Sequence, residues 1–355
     1  MSLPFGCAPK LFILTIILAS APATLRDAAT SSRVLIGTAV RPSLFSETAY
    51  SATLSREFNL VEPEDVMKWS TIRHDKKSFD FREGDHVVQF AEAHEMKIRA
   101  CCLVWDHSNS DWLANGNFTP AQLSTLLKDH ISSVMKHYAG HVFAWDVVNE
   151  GLNEDGNPKN SIWFNKPGIG LSQKGTAYIE QVFRWAHEAD PHALLFYNDN
   201  GGESLGQKSD AVFAMLKVFK QRGVPIDGVG LQMHIFELNF DASAVAANIA
   251  RLTALGLQIH ITELDVSLPV DSGGQARTED VNRQADIYRN VVRVCLKNPG
   301  CTAIQTWGFT DKYSWIGSHS RHSRGAALPF DQAYQPKAAY HAMLTELASG
   351  RKPTH

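Results

Sequence analysis

The chain has 355 residues, of which 44% are hydrophobic and 20% charged, with a formal net charge of −3. That is globular composition with ample material for one large core, and its charge is too small and mixed for a nucleic-acid or membrane-surface partner. No Ser/Gly linker, charge block or low-complexity segment divides it, so one domain is expected.

At the N-terminus, Lys10 precedes the apolar run Leu11 to Ala19, followed by Ser20-Ala21-Pro22-Ala23. A basic start, a short apolar stretch and a small-residue exit describe a secretory signal, too short to span a bilayer. Residues 1–23 are therefore assigned to a signal and 24–355 to one secreted domain, expected to be a monomer. Cys295 and Cys301 bracket the turn-rich spacer Leu-Lys-Asn-Pro-Gly, and a local disulfide between them is expected in an oxidising compartment. Cys101 and Cys102 are neighbours on an apparent strand and should point to opposite faces, leaving two free thiols with at least one buried. Asn117-Phe118-Thr119 is an N-glycosylation sequon in a polar loop.

Along the chain, strand-like runs recur at Val34–Val40, Phe58–Glu62, Ile98–Trp105, Val142–Asn149, Leu194–Asn198, Gly228–His234, Gln258–Leu264 and Thr302–Gly308. They are almost continuously apolar, as strands buried on both faces are. Helical patterns lie between them. The clearest opens at Thr119 as N-cap and Pro120 as first residue, then sets Leu123, Leu126, Leu127, Ile131, Val134 and Met135 on one face. Alternation of this kind predicts a (β/α)8 TIM barrel. A doubly wound sheet would call for a Gly-rich phosphate turn after the first strand, and Gly37-Thr38-Ala39-Val40 is not one.

In such a barrel the active rim is where strands end. Those ends carry Glu64, Asp65 and Lys68; Trp105, Asp106 and His107; Asn149 and Glu150; Asn198 and Asp199; Gln232 and His234; Glu263 and Asp265; Trp307 and Asp311. Two runs, Trp145-Asp146-Val147-Val148-Asn149-Glu150 and Ile261-Thr262-Glu263-Leu264-Asp265, each end at a glutamate. Two carboxylates delivered to one rim by different strands are what retaining glycoside hydrolysis requires, one as acid and base, the other as nucleophile. One of them must stay protonated near neutral pH while the other is ionised. His107, His234, His260, His319 and His322 lack the paired spacing of a metal site, so no metal or cofactor is called for. Glu62 and Asp199 are read as structural, paired with rim arginines.

The chain resembles glycoside hydrolase family 10, the xylanase family of (β/α)8 barrels, from about residue 34 to 347. The matching motifs are Glu57-Phe58-Asn59, Met67-Lys68-Trp69, Leu103-Val104-Trp105, the two glutamate runs, Tyr197-Asn198-Asp199, Gly230-Leu231-Gln232-Met233-His234 and Trp307-Gly308-Phe309-Thr310-Asp311-Lys312-Tyr313-Ser314-Trp315. The resemblance implies that Glu150 is the acid/base and Glu263 the nucleophile. It also implies that Asn149 holds the 2-hydroxyl of the cleaved sugar and that His234, oriented by Asp265 or a neighbour, holds Glu263. Gln232, Glu64, Asp65, Lys68, Trp105, Cys101, Ser108, Trp307 and Trp315 complete the expected sugar site, for a carbohydrate or glycoside substrate.

The third strand departs from the family's usual His-Thr-Leu-Val-Trp-His-Ser-Gln. It reads Cys101-Cys102-Leu103-Val104-Trp105-Asp106-His107-Ser108, and the usual Glu-Asn pair of the second strand is Glu64-Asp65. Cysteine for histidine and serine for glutamine remove volume beside C5 of the bound sugar, which suggests room for a hexose. Ile162-Trp163-Phe164, Met233, Ile235-Phe236, Phe309 and Trp315-Ile316 suggest an apolar leaving-group side. Together these resemble the tomatinase branch, which removes an intact tetrasaccharide from the steroidal glycoalkaloid α-tomatine. An endo-1,4-β-xylanase is the alternative. A catalytically silent sugar-binding barrel is the reading from another class, and two intact glutamates argue against it.

Overall fold

The computed structural model describes residues 24–350; the expected signal segment lies outside them. Eight parallel strands close into a barrel: β1 (Leu35–Val40), β2 (Leu60–Pro63), β3 (Lys97–Val104), β4 (Ala144–Asn149), β5 (Leu194–Asp199), β6 (Gly228–Leu231), β7 (Gln258–Val266) and β8 (Cys301–Thr306). Neighbours in sequence pair in order, and β8 closes on β1 through Leu35↔Ala303 to Thr38↔Thr306. The strands are buried along nearly their whole length, which explains their continuous apolar runs. The (β/α)8 expectation holds.

Local rules account for the outer helices. In Pro120–His137, the Thr119 hydroxyl accepts from the Gln122 backbone, and the Gln122 side chain accepts from Thr119 N at 2.9 Å. This reciprocal cap and the proline start the helix, and Leu123, Leu127, Ile131 and Val134 bury its inner face. The Cys295–Cys301 disulfide forms as expected, tying the helix Thr278–Lys297 to the start of β8. Cys101 and Cys102 are both free and both buried. The helix Leu25–Ser32, which the strand pattern did not announce, packs on the C-terminal helix Ala338–Ser349. There the Ser32 hydroxyl donates to the Leu347 carbonyl.

The barrel interior is polar near its mouth. Arg99 of β3 is fully buried, donates to both carboxylate oxygens of Asp146 on β4, and reaches Glu62 of β2 at 3.1 Å. A buried guanidinium needs such partners, because desolvation of an unpaired charge costs several kcal/mol. One cation faces two carboxylates here. Burial pushes Glu62 up to about 8 and Asp146 up to about 6, against the pull of Arg99. Glu62 is thus structural as expected, but its arginine lies inside the barrel, not on the rim. Asp199 pairs with Lys208 (3.0 Å) and Tyr197, not with an arginine.

Candidate active site

Asn149 ends β4, and Glu150 follows it with φ 53°, in the left-handed region. For a residue with a side chain this costs on the order of 1–3 kcal/mol, a strain usually found where geometry serves a site. The Glu150 backbone N–H donates to the Asn198 carbonyl of β5 at 2.9 Å, which pins the turn. Its carboxylate is crowded by donors. Oε1 faces Gln232 Nε2 at 3.2 Å and Asn149 Nδ2 at 3.5 Å; Oε2 faces Trp105 Nε1 at 3.1 Å and Lys159 Nζ at 3.5 Å. Burial pushes the Glu150 carboxyl up, but the hydrogen bonds from Gln232 and Trp105 and the charge of Lys159 outweigh it and leave it below its ordinary value.

Glu263 comes from β7, with its backbone N–H on the Gln232 carbonyl at 2.9 Å. Oε1 accepts from Asn198 Nδ2 at 2.8 Å, and Oε2 lies 3.1 Å from His234 Nε2. The other His234 nitrogen lies 2.9 Å from Asp265 Oδ2, which also accepts from Trp315 Nε1 at 2.8 Å. Burial alone would lower the His234 pKa. The Asp265 charge and the hydrogen bonds to Asp265 and Glu263 overcome that and hold it well above the ordinary histidine range. The imidazole of His234 is thus held between Glu263 and Asp265, and Asp265 orients it as the sequence reading expected. Asn198 ties the halves together, because its amide also donates to Asn149 Oδ1 at 2.9 Å while its own oxygen accepts from Thr262 Oγ1 at 2.8 Å.

One cleft gathers nearly all the expected residues: Glu64, Asp65, Lys68, Cys101, Trp105, Asn149, Glu150, Gln232, His234, Glu263, Trp307 and Trp315 line it together, with Asn200. Lys68 bridges its floor. The ammonium donates to Asp65 at 2.9 Å and lies 4.8 Å from the Trp105 ring centroid and 5.5 Å from that of Trp307. Glu64 takes both hydrogen bonds of Arg41, at 2.6 and 2.7 Å. Ser108 is the exception. It is buried, its hydroxyl is 3.0 Å from Ser70 Oγ, and it does not line the cleft. It closes the short 3-10 turn Asp106–Ser108 that follows β3, with its side chain buried. Asn117 is exposed in the loop before the helix Pro120–His137.

Two further expectations change. Of the nine residues of the apolar leaving-group platform, four are loop-anchoring core: Trp163, Met233, Phe309 and Ile316 are buried, while Ile162, Phe164, Ile235, Phe236 and Trp315 stay partly open. A carboxyl that stays protonated in the free site is not what the donors around Glu150 produce. Finally, Asn198, Thr262, Asn200 and Lys159 were not assigned to the site. Asn198 was read as a polar strand end of the rim but given no role in the sugar site. Lys159 had no such signal, since it returns to the rim only through the antiparallel bridge Leu152↔Pro158 beyond β4. Glu62, Cys101 and Asp146 place ligand-type atoms within 4.8 Å of one another, the one such trio among the described residues, but Arg99 already occupies Asp146 and Glu62.

A closed parallel barrel whose cleft brings two glutamates, a histidine and tryptophans together is the arrangement of a glycoside hydrolase. The comparisons agree: the chain belongs to glycosyl hydrolase family 10, whose model matches residues 24–346. It is similar to endo-1,4-beta-xylanase B of Thermotoga neapolitana, 37% identical over 301 residues, covering 85% of this chain and 84% of that protein. Endo-1,4-beta-xylanase D of Talaromyces funiculosus is 36% identical over 334 residues, 93% of this chain and 79% of that one. Among solved structures, xylanase 10B from Thermotoga petrophila RKU-1 in complex with xylobiose superposes with a TM-score of 0.87 at 37% identity, covering 93% of this chain and 98% of that one.

Proposed function

We propose that the protein is an endo-1,4-β-xylanase acting by double displacement. Glu263 attacks C1 of the sugar while Glu150 gives its proton to the departing glycosidic oxygen; water then displaces Glu263 and yields its proton to Glu150. The observation that carries this reading is the cleft itself: both glutamates, His234 and the tryptophans share it, with Asp265 buried behind His234, in a chain whose named relatives are xylanases. Export fits the leader-like run before residue 24 and the Cys295–Cys301 bond, a link that persists in oxidising compartments.

The tomatinase reading keeps one supporting observation: Cys101, a small side chain, lines the cleft. The burial of Trp163, Met233, Phe309 and Ile316 removes much of its apolar leaving-group surface. Incubation with xylan and, separately, α-tomatine, with mass analysis of released sugars, decides between them. Xylo-oligosaccharides from xylan are expected. Release of an intact tetrasaccharide from α-tomatine, with xylan untouched, would overturn the proposal.

A further inference from the structure

Four donors converge on Glu150, and they are not alike. Trp105, Gln232 and Asn149 stand at strand ends, held by the barrel. Lys159 reaches in from the hairpin beyond β4; its side chain is 28% exposed, its contact to Oε2 is long at 3.5 Å, and it makes no other ion pair among the described residues. A carboxyl that must donate a proton is better served with no cation against it, since a positive charge at that distance favours the carboxylate over the acid. Of the four, Lys159 is the one able to leave.

We propose that Lys159 is a positioning residue for the acid/base: it holds Oε2 of Glu150 while the leaving-group side of the cleft is empty, and an arriving sugar displaces it. The inference rests on the roles assigned above to Glu150 and Glu263. Displacement removes a cation from Glu150 when the acid form is needed. Once the first product departs, the ammonium returns and favours the carboxylate that must accept a proton from water. The other ionisable groups around Glu150 do not compete for this task. Asp199 is committed to Lys208 and Tyr197, His234 to Glu263 and Asp265, while Asp106, His107 and Tyr178 make no hydrogen bond to the Glu150 carboxylate.

Carbon-13 NMR of glutamate-labelled protein reads this without turnover, with the Glu150 signal assigned by its loss in Glu150→Gln. In Lys159→Met the Glu150 midpoint should rise by about half a unit to one unit over the parent, and Lys159→Arg should restore it. Adding a xylo-oligosaccharide to the Glu263→Ala protein should raise the midpoint as well, and by much less when Lys159→Met is also present. In turnover, the alkaline limb of kcat/KM should move up with the midpoint, while kcat on an aryl xyloside with a good leaving group falls roughly three- to tenfold, because the second step then limits. Identical Glu150 titrations in parent and Lys159→Met would overturn the role of Lys159. Failure of the parent on every xyloside would overturn the proposed function instead, and the NMR titration would still decide on Lys159.

Discussion

His234 binds its proton through two carboxylates at once, so folding and protonation are coupled there. A histidine held up by its partners lends stability fully present below the unfolded value of about 6.5, and that stability is lost as pH rises through the folded value. His234→Gln should therefore cost most near pH 6, with the gap to the parent closing toward alkaline pH in thermal melts. A gap independent of pH would mean the imidazole is neutral. At Glu263 the expected loss is of chemistry: Glu263→Ala should be inactive, and azide should restore partial rate with product of inverted configuration, seen by NMR of the fresh anomer. Normal activity in this variant would remove Glu263 from the mechanism.

The strands hold Asn198 in place by close approach. A Cβ on Gly230 of β6 would lie 2.1 Å from Asn198 Oδ1 and 2.9 Å from Thr262 Cγ2. Gly230→Ala must therefore push Asn198 away from Glu263 and Asn149. We expect about 1–3 kcal/mol of destabilisation by overpacking and a loss in kcat larger than the change in KM; a variant with unchanged kcat would show that Asn198 is not needed in the reaction. Among the helices, Thr119→Ala removes a reciprocal cap and should cost about 1 kcal/mol in urea unfolding. Protein made without glycosylation keeps the sequon out of that comparison. Much of this was legible from residue order. Period and caps announced the eight strands and most helices, polar and aromatic strand ends named ten of the thirteen residues that line the cleft, and the family resemblance added Cys101 and Trp315. What stayed hidden has a common cause. Lys159, and the true positions of Ser108 and the apolar loop residues, depend on how loops fold back, which hydrophobic periodicity does not encode.

For the molecule as a whole, the charged layer beneath the cleft sets a dependence on pH. Glu62 is raised to about 8, so the fold keeps a proton that the unfolded chain has already released, and stability drains as pH climbs from the ordinary glutamate value through that point. Glu62→Gln should flatten the decline between about pH 5 and 9, with its largest gain at the alkaline end, in denaturant titrations repeated across pH. Equal slopes for parent and variant would place the titration elsewhere.

The contact of Leu25–Ser32 with Ala338–Ser349 has a different kind of consequence. The first and last helices share the pole where the strands begin, and the cleft occupies the other. A tether, a fused module or a solid support attached at either flank would therefore hold the barrel from behind and leave its mouth open. Linking the two flanks to each other would make a ring with no loose end on the working face.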